Sequence, residues 1–446
     1  MSPVATLPQR AVVVGLGKTG YSVVRYLLAQ GTQVAVTDSR AEAPEGARLA
    51  ALGADITLRC GGLDASLLAH AQLVVVSPGI APRGAFFDAA RARGVPIVGD
   101  IELFARAARA PIVAITGTNG KSTVTTLLSQ MAARAGVPMR VGGNLGEPAL
   151  ELLEAAARLY ILELSSYQLD TTDTLSVLAA AVLNVTPDHL DRYADLAAYA
   201  AAKARIFTHC ETAVINLDDA LVASMPRPGQ AVLSFSLRAD ARADYVLAPQ
   251  GGEDWLTRRG EALLPLAQLR LNGRHNAANA LAALALAEAA GVARAPSLAA
   301  LRDFTGLPHR SQWVADIRGV RYINDSKGTN VGATLAAVAG LSAPLIIIAG
   351  GEGKGQDFTA LRTPFRAKVR AVVLIGRDAR VLAQALDGVC PCHFAASLEA
   401  AVERAAQLAQ PGDTVLLSPA CASLDMFRDY AQRGTAFTQA VQRLAA

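Results

Sequence analysis

Short apolar runs, rich in valine, isoleucine and leucine and bounded by glycine or polar residues, recur along the whole chain. Runs of this kind are typical of buried parallel strands, which are apolar on both faces. They predict strands at residues 11–14, 34–37, 73–76, 112–115, 159–164, 179–184, 214–216, 232–235, 320–323, 345–349, 371–375 and 414–417. Because helical segments follow many of these runs, the pattern indicates an α/β protein.

Helices are predicted at residues 121–134, 194–208, 272–290 and 331–339, whereas residues 251–269 predict an insertion of hairpins. Compact domains average about 150 residues, so a chain of 446 residues predicts about three of them. We place the three domains at residues 1–99, 100–307 and 308–446.

Composition excludes several classes of function. With 52% hydrophobic and 18% charged residues, the chain has enough apolar surface for several cores. No apolar run approaches the roughly 18 residues that span a bilayer, and the first residues lack a signal-peptide pattern. A net charge of +4 without a cluster of basic residues argues against nucleic-acid binding. Five scattered cysteines fit a reduced cytoplasm, and the closely spaced Cys390 and Cys392 are interpreted as incidental.

The most informative segment is 112–128, IVAITGTNGKSTVTTLL, which places a glycine-bearing loop between a strand and a helix. Backbone N–H groups at such a helix start bind phosphate, the lysine adds a charge, and the hydroxyl of Ser122 or Thr123 can hold magnesium. The usual spacing has a glycine where this chain has Ile115, and Gly117 gives a shorter form, GTNGKS. The segment predicts an ATP site.

A second glycine-rich loop, Gly15-Leu-Gly17-Lys-Thr-Gly20, follows the first predicted strand. Asp38 ends the next strand, so the segment matches the dinucleotide-binding fingerprint and by itself favours an NAD enzyme. The unit ends near residue 99 without a second nucleotide-binding half, which fits a mononucleotide better. Packing of the helix against the strand is the alternative role of these glycines.

Three ionisable residues of the central segment are candidates for catalysis. Glu163 lies in the apolar run LYILEL, where a buried carboxylate needs a cation or a donor; it resembles a magnesium-holding acid, with a helix cap as the alternative. His189 follows a strand end between two aspartates and suits either a metal ligand or a structural histidine. Lys203 lies among alanines, followed by Ile206 and Phe207, and the alternative to a special role is a surface lysine.

In the last third of the chain, polar and glycine-rich segments follow four predicted strands. They are NDSKGTN after residue 323, GGEGKG after 349, GRD after 375 and SPACASLD after 417. Because open α/β sheets bind ligands at the carboxyl ends of their strands, these segments predict a further site for carboxylate or phosphate groups.

Nine segments in fixed order carry a family resemblance: GTNGKST, LELSSYQLD, NVTPDHLDRY, AAKARIF, GRHNAANALAA, LPHRSQWV, NDSKGTNVGATLAA, GGEGKGQDF and LLSPACASLDMF. From residue 12 to about residue 434 the chain resembles the Mur ligases. The resemblance implies an N-terminal Rossmann-like domain that binds UDP, a central P-loop ATPase-type domain with a mostly parallel sheet, and a C-terminal Rossmann-like domain that binds an amino acid.

The resemblance also implies an activity, which is ATP-dependent amide ligation through an acyl phosphate. It is strongest to the member that adds D-glutamate to UDP-N-acetylmuramoyl-L-alanine in peptidoglycan precursor synthesis. The resemblance implies ATP, magnesium at two sites and a cytoplasmic monomer, without nucleic-acid or membrane partners.

Site residues follow from the same resemblance, position by position. The ATP set is Gly117, Thr118, Asn119, Gly120, Lys121, Ser122, Thr123, Asn279, His309, Arg310 and Asp325. The UDP-sugar set is Lys18, Thr19, Asp38, Ser39, Arg40, Ser77, Gly79, Asn144 and Gln168. The D-glutamate set is Thr329, Lys354, Ser423, Leu424 and Tyr430. The catalytic set is Lys121, Glu163, His189 and Lys203, and the metal ligands are Ser122, Glu163, His189 and Lys203 in carbamylated form.

Other functions fit parts of the sequence. A sister ligase or a folylpolyglutamate synthetase would share the phosphate loop, but the N-terminal UDP unit argues against the folate enzyme. A nicotinamide-dependent dehydrogenase would explain GLGKTG and leave GTNGKS unexplained. A catalytically silent nucleotide-binding regulator is disfavoured because Lys121, Glu163 and His189 are all present.

Overall fold

The computed structural model describes residues 8–53, 55–271, 273–342 and 344–445. Over these residues the chain forms three β-sheets in succession, each flanked by helices. The predicted start of a helix at residue 272 lies outside the described residues, as do residues 1–7 at the N-terminus.

The first sheet is fully parallel, with strand order β3-β2-β1-β4-β5. Its strands are β1 (Arg10–Val14), β2 (Gln33–Asp38), β3 (Thr57–Cys60), β4 (Leu73–Val76) and β5 (Ile97–Val98). Its helices are α1 (Lys18–Ala29), α2 (Gly46–Ala50), α3 (Ala85–Ala92) and α4 (Asp100–Ala107), with a 3-10 turn at Ala65–His70. A Cβ atom at Gly20 would collide with the carbonyl oxygen of Gly15, so glycine lets α1 start directly against the loop after β1.

The second sheet has the order β14-β13-β12-β11-β10-β9-β6-β8-β7. Its strands are β6 (Ile112–Thr116), β7 (Met139–Gly143), β8 (Leu159–Glu163), β9 (Ser176–Val182), β10 (His209–Asn216), β11 (Ala231–Ser236), β12 (Tyr245–Gln250), β13 (Glu253–Arg258) and β14 (Glu261–Pro265). The strands β6 to β12 all pair with one another in parallel. Strands β13 and β14 complete the sheet, and each pairs antiparallel with the strand before it.

The helices around this sheet are α5 (Lys121–Arg134), α6 (Ser166–Leu169), α7 (Leu196–Ala204), α8 (Ala220–Ala223), α9 (Arg274–Ala289) and α10 (Arg294–Asp303). Short 3-10 turns lie at Ala149–Leu152, Arg205–Phe207 and Leu266–Gln268. The alanines of α9 are almost all buried, because their small side chains let the helix lie close to α5 and the sheet.

The third sheet has the order β15-β16-β20-β17-β18-β19, and only the edge strand β15 is antiparallel. Its strands are β15 (Gln312–Ile317), β16 (Val320–Asn324), β17 (Leu345–Gly350), β18 (Val369–Ile375), β19 (Cys392–Phe394) and β20 (Thr414–Leu417). Its helices are α11 (Val331–Gly340), α12 (Arg362–Lys368), α13 (Ala379–Ala385), α14 (Leu398–Leu408) and α15 (Tyr430–Ala445), with a 3-10 turn at Thr359–Leu361.

The predicted α/β class and the mostly parallel central sheet are confirmed. The residue boundaries of the three domains stay a prediction. Strand β7 (Met139–Gly143) was not among the predicted strands, since its glycines are also typical of a loop. The helix predicted at 194–208 begins at Leu196, because the side chain of Asp195 accepts a hydrogen bond from Ala198 N and caps it, and it ends in a 3-10 turn.

The first two sheets share a hydrophobic core, whereas the third sheet has its own. One cluster contains residues of both the first and the second sheet, including Val13, Phe104 and Tyr160. The two faces of the third sheet have clusters of their own. Within the described residues, no helix has the length and apolar character needed to cross a membrane.

Candidate functional site

The loop between β6 and α5 has a backbone that only glycine adopts easily. Gly117 has φ +148° and Gly120, which caps α5, has φ +86°. A Cβ atom at Gly120 would collide with Oδ1 of Asn279, and one at Gly117 would lie 3.1 Å from Cβ of Leu183. The loop is therefore held tightly between the end of β9 and α9, and it presents the N-terminus of α5 to the cleft.

Hydrogen bonds from Asn184 fix the same loop. Its carbonyl accepts from Thr118 N at 2.9 Å, its side-chain oxygen accepts from Asn119 N at 2.8 Å, and its amide group donates to Asn119 O at 3.0 Å. Lys121 folds back over the loop, and its Nζ donates to the carbonyls of Gly117 at 2.8 Å and Thr118 at 2.9 Å. The loop and the lysine thus form a cradle that combines backbone N–H groups at a helix start with a cation, a combination that suits a phosphate group.

A second lysine reaches the same cradle from α7. Lys203 is 1% exposed, its Nζ donates to Gly117 O at 3.0 Å, and it lies 4.4 Å from the centre of the Tyr199 ring. Burial, and next the positive charge of Lys121, hold the pKa of the Lys203 amine well below its usual range. The structure therefore favours a neutral amine at this position.

Glu163 ends β8 beside the cradle and is 2% exposed. Its Oε1 accepts from Asn144 Nδ2 at 2.6 Å, whereas Oε2 is buried and has no hydrogen-bond partner among the described residues. A buried carboxylate oxygen without a donor is costly unless a cation satisfies it. This orphaned oxygen fits a divalent cation held next to the cradle.

His189 has the left-handed φ of +57°, a backbone conformation that is unfavourable for a residue with a side chain. Its Nδ1 lies 2.6 Å from the hydroxyl of Tyr167, and its Nε2 lies 3.7 Å from Oδ2 of Asp188. Burial lowers the pKa of the imidazole, so the ring is neutral and can act as a metal ligand. The described residues contain no group of three or more His, Cys, Asp or Glu side chains placed to bind a metal. An ion held by Glu163 or His189 therefore also needs ligands of another kind.

The third sheet contributes side chains to the same cleft. Arg310 donates to the hydroxyl of Ser122 at 2.7 Å. Asn330 Nδ2 donates to Oδ2 of Asp188 at 3.1 Å, and Nζ of Lys354 lies 4.0 Å from the other carboxylate oxygen. Cations and amides from the third sheet thus meet the cradle of the second.

A cavity of about 330 Å³ opens beside the cradle, between the second and third sheets. Of the residues predicted to bind ATP, Asn119, Gly120, Thr123, Asn279, Arg310 and Asp325 line it. Burial raises the pKa of Asp325 to about 6, and its carboxylate accepts from Ser418 Oγ and Ser311 N. His309 is not among the lining residues, and its Nδ1 lies 3.1 Å from Asn324 Nδ2.

The residues predicted to bind the UDP-sugar fall into two groups. Around the first glycine-rich loop, Asp38 accepts from Leu16 N at 2.7 Å and pairs with the guanidinium of Arg40, while Ser77 Oγ donates to Gly15 O at 2.8 Å. The guanidinium of Arg40 lowers the pKa of Asp38 to about 2. Lys18 and Thr19 begin α1, and Ser39 and Gly79 lie in the loops after β2 and β4.

Asn144 and Gln168 form the second group, in the central part of the chain. Asn144 donates to Glu163, and Gln168 is buried with both ends of its amide engaged. Its Nε2 donates to Asp100 Oδ2 at 3.3 Å and its Oε1 accepts from Ser165 N at 3.1 Å. In this structure both amides organise the protein itself.

The residues predicted to bind D-glutamate gather at the carboxyl edge of the third sheet. Thr329 follows β16, Lys354 follows β17, and Ser423 and Leu424 follow β20, with the Leu424 side chain 67% exposed. Tyr430 begins α15, and Nζ of Lys327 lies 4.0 Å from the centre of its ring.

Four residues of the site were not predicted from the sequence. Burial lowers the pKa of Lys327 to about 7, and Asn330 bonds Asp188 across the cleft. Both lie in the NDSKGTN segment, so that segment was a signal for them. Tyr199 faces Lys203, and the buried Arg433 donates to the carbonyls of Cys421 and Ala422. No local sequence pattern marks these two.

Three family models match the chain. The Mur ligase MurD-like N-terminal domain matches residues 9–99, the Mur ligase middle domain matches residues 115–287, and the Mur ligase glutamate ligase domain matches residues 309–421.

Curated relatives that match nearly the whole chain carry the name UDP-N-acetylmuramoylalanine--D-glutamate ligase. The chain is 54% identical to that of Nitrosococcus oceani over 437 residues, covering 97% of this chain and 96% of the relative. It is 51% identical to that of Pseudomonas syringae pv. syringae over 438 residues, covering 97% and 98%.

Solved structures share the fold at low sequence identity. A pseudomurein peptide ligase type C from Methanothermus fervidus aligns with a TM-score of 0.64 at 17% identity, covering 98% of this chain and 100% of that chain. A UDP-N-acetylmuramate-alanine ligase from Thermotoga maritima aligns with a TM-score of 0.63 at 19% identity, covering 98% and 99%.

The Asp38–Arg40 pair predicts an acid-dependent loss of stability. The pKa of Asp38 is lowered from 3.8 to about 2, so on acidification the unfolded chain takes up a proton before the folded chain does. The stabilisation is complete above the ordinary pKa and is lost as the pH falls toward about 2. We expect Asp38→Asn to melt at a lower temperature than wild type at neutral pH, with the difference shrinking steadily in acid.

Thermal unfolding followed by circular dichroism at a series of pH values measures this difference. Asp316→Asn, which removes the partner of Arg321 in an ion pair exposed on both sides, is the matched control and should show little effect at any pH. A difference for Asp38→Asn that is constant down to the acid limit would contradict the role of the pair.

Proposed function

This chain belongs to the Mur ligase family, and we propose that it joins D-glutamate to UDP-N-acetylmuramoyl-L-alanine at the expense of ATP, in peptidoglycan precursor synthesis. One observation carries the proposal: a single cleft holds a phosphate cradle from the second sheet together with the cations Arg310 and Lys354 from the third. Such a cleft suits the transfer of a phosphoryl group in front of a bound amino acid.

The proposed reaction uses two nucleotides, ATP and the UDP part of the sugar substrate, and needs no redox cofactor. A carboxylate resists attack by an amine because its leaving group would be oxide. Phosphorylation of the alanine carboxylate by ATP gives an acyl phosphate, whose leaving group is phosphate. The amino group of D-glutamate then attacks the carbonyl carbon, and the tetrahedral intermediate expels phosphate and leaves an amide. The protein has to align the groups and neutralise charge.

We assign the triphosphate of ATP to the cradle. The backbone from Gly117 to Ser122 and the Lys121 ammonium face the phosphates, and Arg310 approaches from the opposite side through its contact with Ser122. We also assign to the phosphate-binding side of the site Thr118, Asn119, Gly120 and Thr123. We assign to the adenosine Asn279, His309 and Asp325. A charge that approaches from two sides stabilises the phosphoryl group in transfer.

We expect magnesium at two positions, and the donor set fits it. The free carboxylate oxygen of Glu163 and the hydroxyl of Ser122 would hold the first ion, and His189 together with a carbamylated Lys203 would hold the second. When bound, magnesium neutralises the phosphate oxygens. Lys203 needs modification for this role, since an ammonium group would repel the ion, and its lowered pKa makes the amine nucleophilic toward carbon dioxide.

The remaining assignments concern the two other substrates. The UDP-sugar is assigned to Lys18, Thr19, Asp38, Ser39, Arg40, Ser77, Gly79, Asn144 and Gln168. D-Glutamate is assigned to Thr329, Lys354, Ser423, Leu424 and Tyr430, where Lys354 and backbone N–H groups can bind its carboxylates. We expect the enzyme to act as a monomer in the cytoplasm.

Release of phosphate tests the proposed function directly. With UDP-N-acetylmuramoyl-L-alanine and ATP present, we expect phosphate release when D-glutamate is added, and little with L-glutamate, L-lysine or diaminopimelate. The product should gain the mass of one glutamyl residue. Turnover with a different amino acid in place of D-glutamate would identify a sister ligase and overturn the proposal.

Lys121→Ala should remove a positive charge whose attraction to the phosphoryl group increases as the transfer proceeds. We expect kcat to fall on the order of a hundredfold or more, with UDP-sugar binding measured by calorimetry close to wild type. Lys368→Ala is a matched control, because Lys368 also donates to backbone carbonyls, those of Val338, Ala339 and Leu341, but lies away from the cleft. Turnover of Lys121→Ala near that of the control would remove the ATP site from the cradle.

Lys203→Ala should be nearly inactive if the lysine works as a carbamate. Formate or acetate at high concentration should then restore part of the activity, because a small carboxylate can occupy the place of the carbamate. Lys121→Ala serves as the control, since the lost ammonium group cannot be replaced by an anion. An active Lys203→Ala, or an inactive one that neither anion rescues, would contradict the carbamate.

A further inference from the structure

We propose that Asp378 is a positioning residue for D-glutamate, because its carboxylate fixes the turn from which Lys354 reaches the cleft. The inference rests on the proposed function, in which Lys354 binds a carboxylate of D-glutamate. Asp378 lies outside the set of residues predicted to bind any substrate, in the loop between β18 and α13.

The turn that carries Lys354 has an unfavourable backbone conformation, so contacts with other segments must stabilise it. Lys354 itself has the left-handed φ of +51°, which is unfavourable for a residue with a side chain. Gly350, Gly351 and Gly355 around it also have positive φ, at +119°, +126° and +71°. A segment with this many glycines has many alternative conformations, so contacts with its surroundings must select the one observed.

Asp378 supplies two such contacts, both to the residues that precede Lys354. Its Oδ2 accepts from the backbone N–H of Gly353 at 2.7 Å, one residue before Lys354. Its own backbone N–H donates to the carbonyl of Gly351 at 3.0 Å. A hydrogen bond to a charged acceptor is stronger than one between neutral groups, so this carboxylate holds the peptide that leads directly into Lys354.

Two further contacts place the turn relative to its neighbours. Glu352 exchanges backbone hydrogen bonds with Ala422, at 3.0 and 2.9 Å, which ties the turn to the loop of Ser423. Gln356 donates to Gly353 O at 3.0 Å and accepts from Val331 N at 3.0 Å, which ties it to the start of α11. These contacts set where the turn lies, and Asp378 sets the direction of the peptide before Lys354.

The effect on catalysis should be selective. Lys354 Nζ lies 4.0 Å from Asp188 Oδ1, so its ammonium group already points toward the side of the cleft that holds His189. A change of the turn would move this ammonium away from a bound carboxylate. Within the part of the chain that the structure describes, Lys121 and Arg310, which we assign to the phosphates of ATP, make no hydrogen bond with the turn.

We expect Asp378→Ala to raise KM for D-glutamate about tenfold or more, with KM for ATP and for the UDP-sugar within about twofold of wild type. Asp378→Asn should recover most of the affinity, since its amide oxygen can accept from the same N–H. Asp357→Ala is the matched control: this exposed aspartate, in the same connection between β17 and α12, accepts from Thr359 N and Oγ1 at 2.8 and 2.7 Å and does not hold the turn.

A measurement without substrate separates this inference from the proposed function. Hydrogen exchange of the amides at residues 350–355 should be faster in Asp378→Ala than in wild type and in Asp357→Ala. If wild type does not ligate D-glutamate, the proposed function fails while the exchange result still decides whether Asp378 holds the turn. Unchanged exchange, an unchanged KM for D-glutamate, an equal rise of all three KM values, or no recovery in Asp378→Asn would each overturn the inference.

Discussion

Two lysine side chains share one backbone carbonyl at the centre of this molecule. Nζ of Lys121 and Nζ of Lys203 donate to Gly117 O at 2.8 and 3.0 Å. Lys203 is almost fully buried, and the nearby charge of Lys121 lowers the pKa of its amine further than burial alone does. The arrangement is stable when one amine is neutral or when anions enter between them. The phosphate cradle, the orphaned oxygen of Glu163 and the cations of the third sheet all surround this point.

The way the sheets are joined determines how the cleft forms. The first and second sheets share one apolar cluster, whereas the third sheet buries its apolar faces in its own clusters. The third sheet meets the cradle through polar contacts, namely Arg310 with Ser122 and Asn330 with Asp188. The polar groups in these contacts are ones that substrates and ions can also bind. A bound substrate or ion can therefore help to hold the two sheets together.

The sequence predicts those parts of the site that are local. The cradle, its helix start at Lys121 and most buried strands follow from short patterns of glycine, lysine and apolar residues. The alanines, Ile206 and Phe207 near Lys203 are compatible with its burial, but they leave a surface lysine as the alternative. Contacts between distant segments leave no such signal: Arg310 meets Ser122, and Asn330 meets Asp188, only after three sheets have formed. Strand β7 is absent from the predicted strands because its glycines fit a turn equally well, and short edge strands such as β19 carry too few apolar residues to be recognised.

Asp188 shows why the unpredicted contacts matter for chemistry. One carboxylate oxygen accepts from Asn330, at the start of α11, and lies 3.7 Å from the imidazole of His189; the other lies 4.0 Å from the ammonium of Lys354. A single buried anion therefore links the side of the cleft where metal would bind to the side where an amino acid would bind. Movement of the third sheet away from the second would separate Asp188 from both Asn330 and Lys354 and leave it with the hydrogen bond from His189 N at 2.9 Å. Because hydrogen bonds and ion pairs of a carboxylate are stronger in a buried site than in water, these two contacts favour the arrangement in which both halves of the site are assembled.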